Sequence, residues 1–155
     1  MHFICMIDVR FSTALQMMLS LALARAEGAP RLSSSRLAVG VASNPTFVRK
    51  LLTPLIKAGL VVSAPGRDGG VSLSRSSETI TLAAIYDASI GSGPLWPSRS
   101  DIPHRCVVSS NFDAFFADLA ATADHALRQE LANQTLADGL ADLRRRQEKV
   151  KKHAR

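Results

Sequence analysis

Residues 43–75 read SNPTFVRKLLTPLIKAGLVVSAPGRDGGVSLSR. Ser43 or Asn44 offers a polar cap, and Pro45 follows at the first helical position, where a missing N–H costs nothing. Val48, Leu51, Leu52, Leu55 and Ile56 then recur at helical spacing, which predicts a helix with one buried face. Pro54 lies inside that stripe and predicts a kink or a loosened turn. Gly59 is placed to end the helix. Residues 60–64 are short and β-branched, 65–70 hold the Gly and Pro of a turn, and 71–73 alternate apolar with polar. That is a hairpin. The polar face of the helix carries Thr46, Arg49 and Lys50, and the hairpin tip carries Arg67.

Upstream, residues 27–30 read EGAP, a run of breakers that closes a first helix. Ser33, Ser34 and Ser35 offer N-caps for a short helix around Arg36, Leu37 and Ala38, and Gly40 suits the tight turn after it. In the first helix, Phe11, Leu15, Met18, Leu19 and Leu23 fall at amphipathic spacing. The run 14–24 is apolar, and its end resembles a signal-peptidase site. Asp8 and a single Arg precede it, however, and no run reaches the ~18–20 apolar residues of a membrane span. The segment therefore reads as a core helix of a cytoplasmic protein, not as a secretion signal, and no membrane partner is expected. Met6, followed by IDVRFS, reads as a natural start.

Downstream, Thr79 or Thr81 begins a short helix through Ile85 to Ala88, and 91–103 is a breaker-rich loop. Ser110 with Asp113 matches a capping box. Phe112, Phe115, Phe116, Leu119, Ala123, Leu127 and Leu131 follow at three- and four-residue steps, which predicts a long amphipathic helix of about 20 residues. Thr135 with Asp138 caps a last helix that runs into RRRQEKVKKHAR, a basic end expected to fray.

Charge is segregated along the 155 residues. Residues 1–75 hold nine Lys/Arg against three Asp/Glu, 76–143 hold three against nine, and 144–155 hold seven against one. The first part is built to meet a polyanion and the middle is not. Apolar residues make up 46% of the chain, enough for one buried core.

Helix, tight turn, helix and hairpin, in that order, predict a winged helix-turn-helix in a mostly α chain with a small β-hairpin wing. In such a unit the start of the second helix enters the major groove of double-stranded DNA. Asn44, Thr46, Arg49 and Lys50 stand there, with Arg suited to guanine and Lys and Thr to bases or phosphates. Ser33, Ser34 and Ser35 sit at a helix N-terminus, whose free N–H groups suit a phosphate. Arg67, on a glycine-flanked turn, suits an adjacent groove or its backbone. Each of these cations taken alone reads equally well as a solvated surface charge; their order and the charge segregation favour DNA. No nucleotide-binding Gly-rich loop, GxSxG or HExxH is present, so no enzyme activity is expected. A dimeric effector-binding or adaptor module on the same scaffold, not binding DNA, is the competing reading.

The run NPTFVRKLLTPLIKAGLV, the wing GRDGGVSL and the ITL that opens the next helix resemble the Rrf2 family of bacterial transcription regulators. HRCVVSSNF, the long helix and TLADGL are similar to that family's C-terminal half. The resemblance implies a winged-helix homodimer that binds a pseudo-palindromic operator, usually as a repressor. It also implies dimerisation through the long helix, here Phe112, Phe115, Phe116, Leu119, Leu127 and Leu131. The organisation expected is a DNA-binding domain at 9–90, a loop at 91–109, dimerisation helices at 110–143 and a disordered tail at 144–155.

Iron–sulfur members of the family carry three closely spaced cysteines in the loop before the long helix. Here that loop holds only Cys106, with His104 beside it, whereas a cluster needs about four donors. The chain resembles the cluster-free branch, and no cofactor is expected. The four His match no metal spacing, so no metal is expected either. Cys106 reads first as a small buried hydrophobe. Its other reading is a redox-sensing thiol, with Arg105 and a helix N-terminus lowering its pKa, and a redox or small-molecule effector as partner. Cys5 is a poor disulfide partner for it.

Overall fold

The computed structural model describes residues 8–29, 31–97, 99, 101 and 103–154. Cys5, the Met6 start and Pro30 of the breaker run lie outside the described residues. The elements are α1 (Arg10–Ala26), α2 (Ser34–Gly40), α3 (Pro45–Lys57), β1 (Val61–Ala64), β2 (Gly70–Leu73), a 3-10 turn at Ser77–Thr79, α4 (Leu82–Ile90), α5 (Val107–Ala132) and α6 (Leu136–His153). The fold is a winged helix-turn-helix followed by two long helices.

α1 is apolar on more than one side. Ala14, Met17, Met18, Leu21 and Ala22 enter the core. Phe11, Leu15 and Leu19 of the expected stripe pack against that core, and Leu15, Leu19 and Leu23 also line a groove with Leu140 and Leu143 of α6. α3 buries Val48, Leu51, Leu52 and Leu55, while Ile56 is exposed beyond the stripe. The helix continues through Pro54 to Lys57. It ends as expected at Gly59, which takes φ +71. Gly59 N–H donates to Ile56 O (2.9 Å) and Leu60 N–H to Leu55 O (3.0 Å), the paired bonds of a Schellman cap.

β1 and β2 pair antiparallel, with Val61 opposite Leu73 and Ala64 opposite Gly70. The free edge of β2 is closed by Leu32, which exchanges both backbone bonds with Val71 at 3.0 and 2.8 Å. One core joins these parts: Leu37, Val48, Leu55, Leu60, Val71, Ile80 and Ile85 pack with α1, and Leu136 of α6 closes the cluster. Thr81 and Thr135 form a second isolated bridge, so the start of α4 and the start of α6 are laced together.

Two boundaries differ from expectation. α5 begins at Val107, one turn before Ser110, because Cys106 and Ser109 form the capping box, an atypical residue pair for that motif. The basic segment after 144 is helical to His153. Thr135 and Asp138 start that helix with a reciprocal cap, Asp142 pairs with Arg145 and Arg146 at one-turn spacing, and Lys151, Lys152 and His153 suit the helix C-terminus.

Candidate nucleic-acid interface

α2 starts at Ser33, whose hydroxyl accepts the Arg36 N–H at 3.1 Å. Ser34 and Ser35 are the first residues of the helix, Ser34 half-buried and Ser35 exposed. Leu37 and Ala38 bury the inner face. The turn to α3 is made by Ala42, which adopts a left-handed φ of +48; Gly40, expected to take that turn, is the last helical residue. Ser43 N–H donates to Ala38 O (3.0 Å) and Ala42 N–H to Val39 O (3.1 Å), the same cap that ends α3.

Asn44 caps α3, its Oδ1 accepting the Thr46 N–H at 2.8 Å. Thr46, Arg49, Lys50 and Thr53 are exposed at i, i+3, i+4 and i+7, so they share the outer face. Arg49 Nη2 donates to Thr46 Oγ1 at 3.5 Å, and Thr53 Oγ1 donates to Arg49 O at 3.2 Å. Arg67 and Asp68 form the centre of the wing turn, which Gly69 N–H closes onto Gly66 O at 3.1 Å. A Cβ at Gly69 would collide with Ala64 O, and one at Gly70 would lie 2.6 Å from Leu32 O. Glycine is what lets the wing lie flat against the segment entering α2.

The Leu32–Val71 bridge therefore fixes the start of α2 against the wing. Ser34, Arg49, Ser63 and Gly70 line one cleft of about 340 Å³ with Thr53. Of the sequence candidates, Ser34 and Arg49 meet there; Ser33, Ser35, Asn44, Thr46, Lys50 and Arg67 do not line it. Thr53 and Ser63 line the cleft as well and join the candidates, and Arg36, exposed on α2 outside it, is a further free cation nearby in sequence. Thr53 was legible as the residue four beyond Arg49, Arg36 as a cation beside the serines, and Ser63 had no sequence signal. Arg10, Arg128, Arg145 and Arg146 are paired with carboxylates. Arg36, Arg49, Lys50 and Arg67 have no carboxylate within ion-pair distance among the described residues, so they stay available to phosphate.

Cys106 is exposed, which overturns its reading as a buried hydrophobe. It is the N-cap of α5: Ser109 N–H lies 3.5 Å from Sγ, and Ser109 Oγ accepts the Cys106 N–H at 3.0 Å. Hydrogen bonding from the Ser109 hydroxyl, and then from the backbone N–H groups of Ser109 and Val108, holds the thiol below the ordinary cysteine range. Arg105 is not among the causes.

The α5 stripe divides in two. Phe115 and Leu119 are exposed, at 63% and 49%. Phe112 stacks on Phe116 at 5.6 Å, and Phe116 meets Trp96 at 6.4 Å. Leu127 is half-buried, and Leu131 packs on the core. The six residues thus serve two surfaces. Among the described residues no helix is long and apolar enough to cross a membrane.

Comparison with known proteins agrees with this geometry. The family model Rrf2, described as an iron-dependent transcriptional regulator, matches residues 7–142. The loop before α5 offers Cys106 and His104, and among the described residues no three His, Cys, Asp or Glu are grouped to hold a metal. YffB of Lactococcus lactis, named as an HTH-type transcriptional regulator, is 26% identical over 125 residues, 74% of this chain and 80% of that protein. YwgB of Bacillus subtilis, named likewise, is 32% identical over 68 residues, 44% of each chain. The crystal structure of a protein of Lactobacillus plantarum named as a transcriptional regulator superposes with a TM-score of 0.72 at 27% identity, covering 88% of this chain and 90% of that one. CymR of Staphylococcus aureus gives 0.64 at 25%, covering 86% and 96%. A family match from before α1 into α6, over the fold that its solved relatives share, makes this chain a member of the Rrf2 family of transcriptional regulators.

Proposed function

We propose that the chain is a cytoplasmic repressor that binds a pseudo-palindromic operator as a homodimer. Each protomer sets the outer face of α3 into the major groove of one half-site and lays the wing on the flanking backbone. The observation that carries this reading is the single cleft in which the α2 N-terminus, Arg49 and the wing strands converge. Helix and wing then form one clamp, with Arg67 at its outer edge. A two-fold dimer paired along the exposed side of α5 must set its two clamps about one helical turn, ~34 Å, apart to meet both half-sites. The basic residues 144–155 supply further attraction to a polyanion.

The test is fluorescence anisotropy on an operator selected from genomic fragments and on a scrambled duplex, across a salt series. Arg49→Ala should cost about 1–3 kcal/mol on the operator and relax specificity at one base pair. Lys50→Ala should weaken binding, with the two duplexes deciding between a base and a phosphate contact. Arg67→Ala should weaken both duplexes evenly and lower the salt slope by about one. Binding without salt dependence, or three substitutions without effect, would leave the adaptor reading in its place.

A further inference from the structure

α4 and α5 run antiparallel and are fastened to each other at two points. At one end the backbone joins them. Leu82 N–H donates to Gln134 O at 2.9 Å, just past the end of α5, and Thr81 bridges Thr135. Farther along, Arg128 of α5 pairs with Asp87 of α4. Leu82 and Asp87 are about 7.5 Å apart along α4. One fastening would leave α5 free to swivel; two define its direction.

The second fastening is held from several sides. Asp124, one turn before Arg128, accepts its Nε at 2.7 Å and so sets the plane of the guanidinium on α5. Arg128 Cζ lies over the Tyr86 ring, 5.3 Å from the centroid. Tyr86 is in turn set edge-on against Phe11 of α1, at 5.1 Å. A preset fork then meets Asp87 across the joint. Stability is not what this arrangement supplies. Asp87 is half exposed, which screens its pair, and Asp124 Oδ1 is buried without a donor among the described residues. Leu131 on the core and Phe116 against Trp96 keep α5 close, but apolar contact is non-directional. The ionic fork adds the angle.

The leverage is large. Phe115 and Leu119, on the exposed side of α5, lie about 20 and 14 Å along the helix from Arg128. A swing of about 10° at the joint moves Phe115 by about 3.5 Å, close to one base-pair step.

We propose that Arg128 is a positioning residue: its fork, preset by Asp124 and clasped to Asp87, sets the angle between the winged unit and α5. The consequence for DNA rests on the two-fold reading above. Two winged units held at one angle accept one half-site spacing, and two that swing accept several.

The angle is measured without DNA. In a Cys5→Ser/Cys106→Ser chain, spin labels are attached after Lys57→Cys at the end of α3 and Ser110→Cys near the start of α5, both exposed. The labelled chain is diluted in excess unlabelled chain, so the distance read lies within one chain. Pulsed dipolar spectroscopy should give one narrow distribution. Arg128→Gln should broaden it by about 5 Å, the travel of Ser110 for the same swing of about 10°. Arg128→Lys should broaden it too, since an ammonium lacks the planar fork that addresses two carboxylates at once. Asp87→Asn should act alike, with far-UV circular dichroism and the urea midpoint near wild type, and it decides the matter if Arg128→Gln does not fold. A wild-type distribution in either folded variant, full restoration by Arg128→Lys, or broadening seen only with lost helicity would overturn the proposal. On duplexes with half-sites moved closer or farther by single base pairs, wild type should prefer one spacing and folded Arg128→Gln should bind several alike. Distances that broaden while the spacing preference stays sharp would count against the two-fold reading and leave the joint standing.

Discussion

Ala42 holds the turn between α2 and α3 in a conformation that an L side chain resists. Ala42→Gly should therefore raise stability by about 0.5–1 kcal/mol in urea unfolding, the relief of the strained φ exceeding the added freedom of the unfolded chain. Ala42→Val should do the opposite, because a β-branched residue fits that region worst. Cys106 offers a second residue-level test. Its thiol pKa is lowered in the folded chain by Ser109. Folding thus favours the thiolate, and that contribution is present above the unfolded pKa and fades as pH falls through the folded one. In a Cys5→Ser background, the rate of iodoacetamide alkylation should rise at lower pH than for a free cysteine. Ser109→Ala should move the profile back up. If Cys106 is a sensor, mild peroxide should weaken operator binding reversibly and Cys106→Ser should abolish the response. Identical profiles for Cys5→Ser and Cys5→Ser/Ser109→Ala would show that the cap does not tune the sulfur.

At the scale of elements, α5 presents one face to solvent and another to its own chain. Charge on the exposed face should separate protomers without unfolding them. Leu119→Glu is expected to give a soluble, helical monomer by light scattering, whereas Leu131→Glu, which breaks core contacts, should give loss of circular dichroism. A wild type already monomeric at micromolar concentration would remove the two-fold arrangement. The division of this stripe was not legible in the sequence, because three- and four-residue spacing marks a helix as amphipathic without saying whose surface it meets. α3, the wing turn and the Thr135–Asp138 cap were legible, since Pro45, the wing glycines and the S/T-x-x-D pattern each impose a local geometry. Leu32 was not: a single bridging residue has no alternation to show. The order of helix, turn, helix and hairpin was readable, but the convergence of Ser34, Arg49 and Ser63 on one cleft depends on that bridge.

At the scale of the molecule, the winged half and the helical half share a core. Leu136 is fully buried in it, and Leu82 N–H to Gln134 O (2.9 Å) and Leu136 N–H to Ile80 O (2.8 Å) stitch the halves across the loop. Leu136→Ala should cost about 2–5 kcal/mol. Urea unfolding of the full chain followed by Trp96 fluorescence should coincide with that followed by circular dichroism. Separated midpoints would mean that residues 9–90 stand alone as a domain. The position of Leu136 also sets an order of events during synthesis. A ribosome releases the helix-turn-helix and wing well before it reaches residue 136, so the nascent chain carries α3 and the wing over a core still open at one side. Closure waits for a contact more than fifty residues away from Ile80 in sequence. A chain interrupted in the loop would be left with α3 and the wing in place and no seal beneath them, a species for proteases.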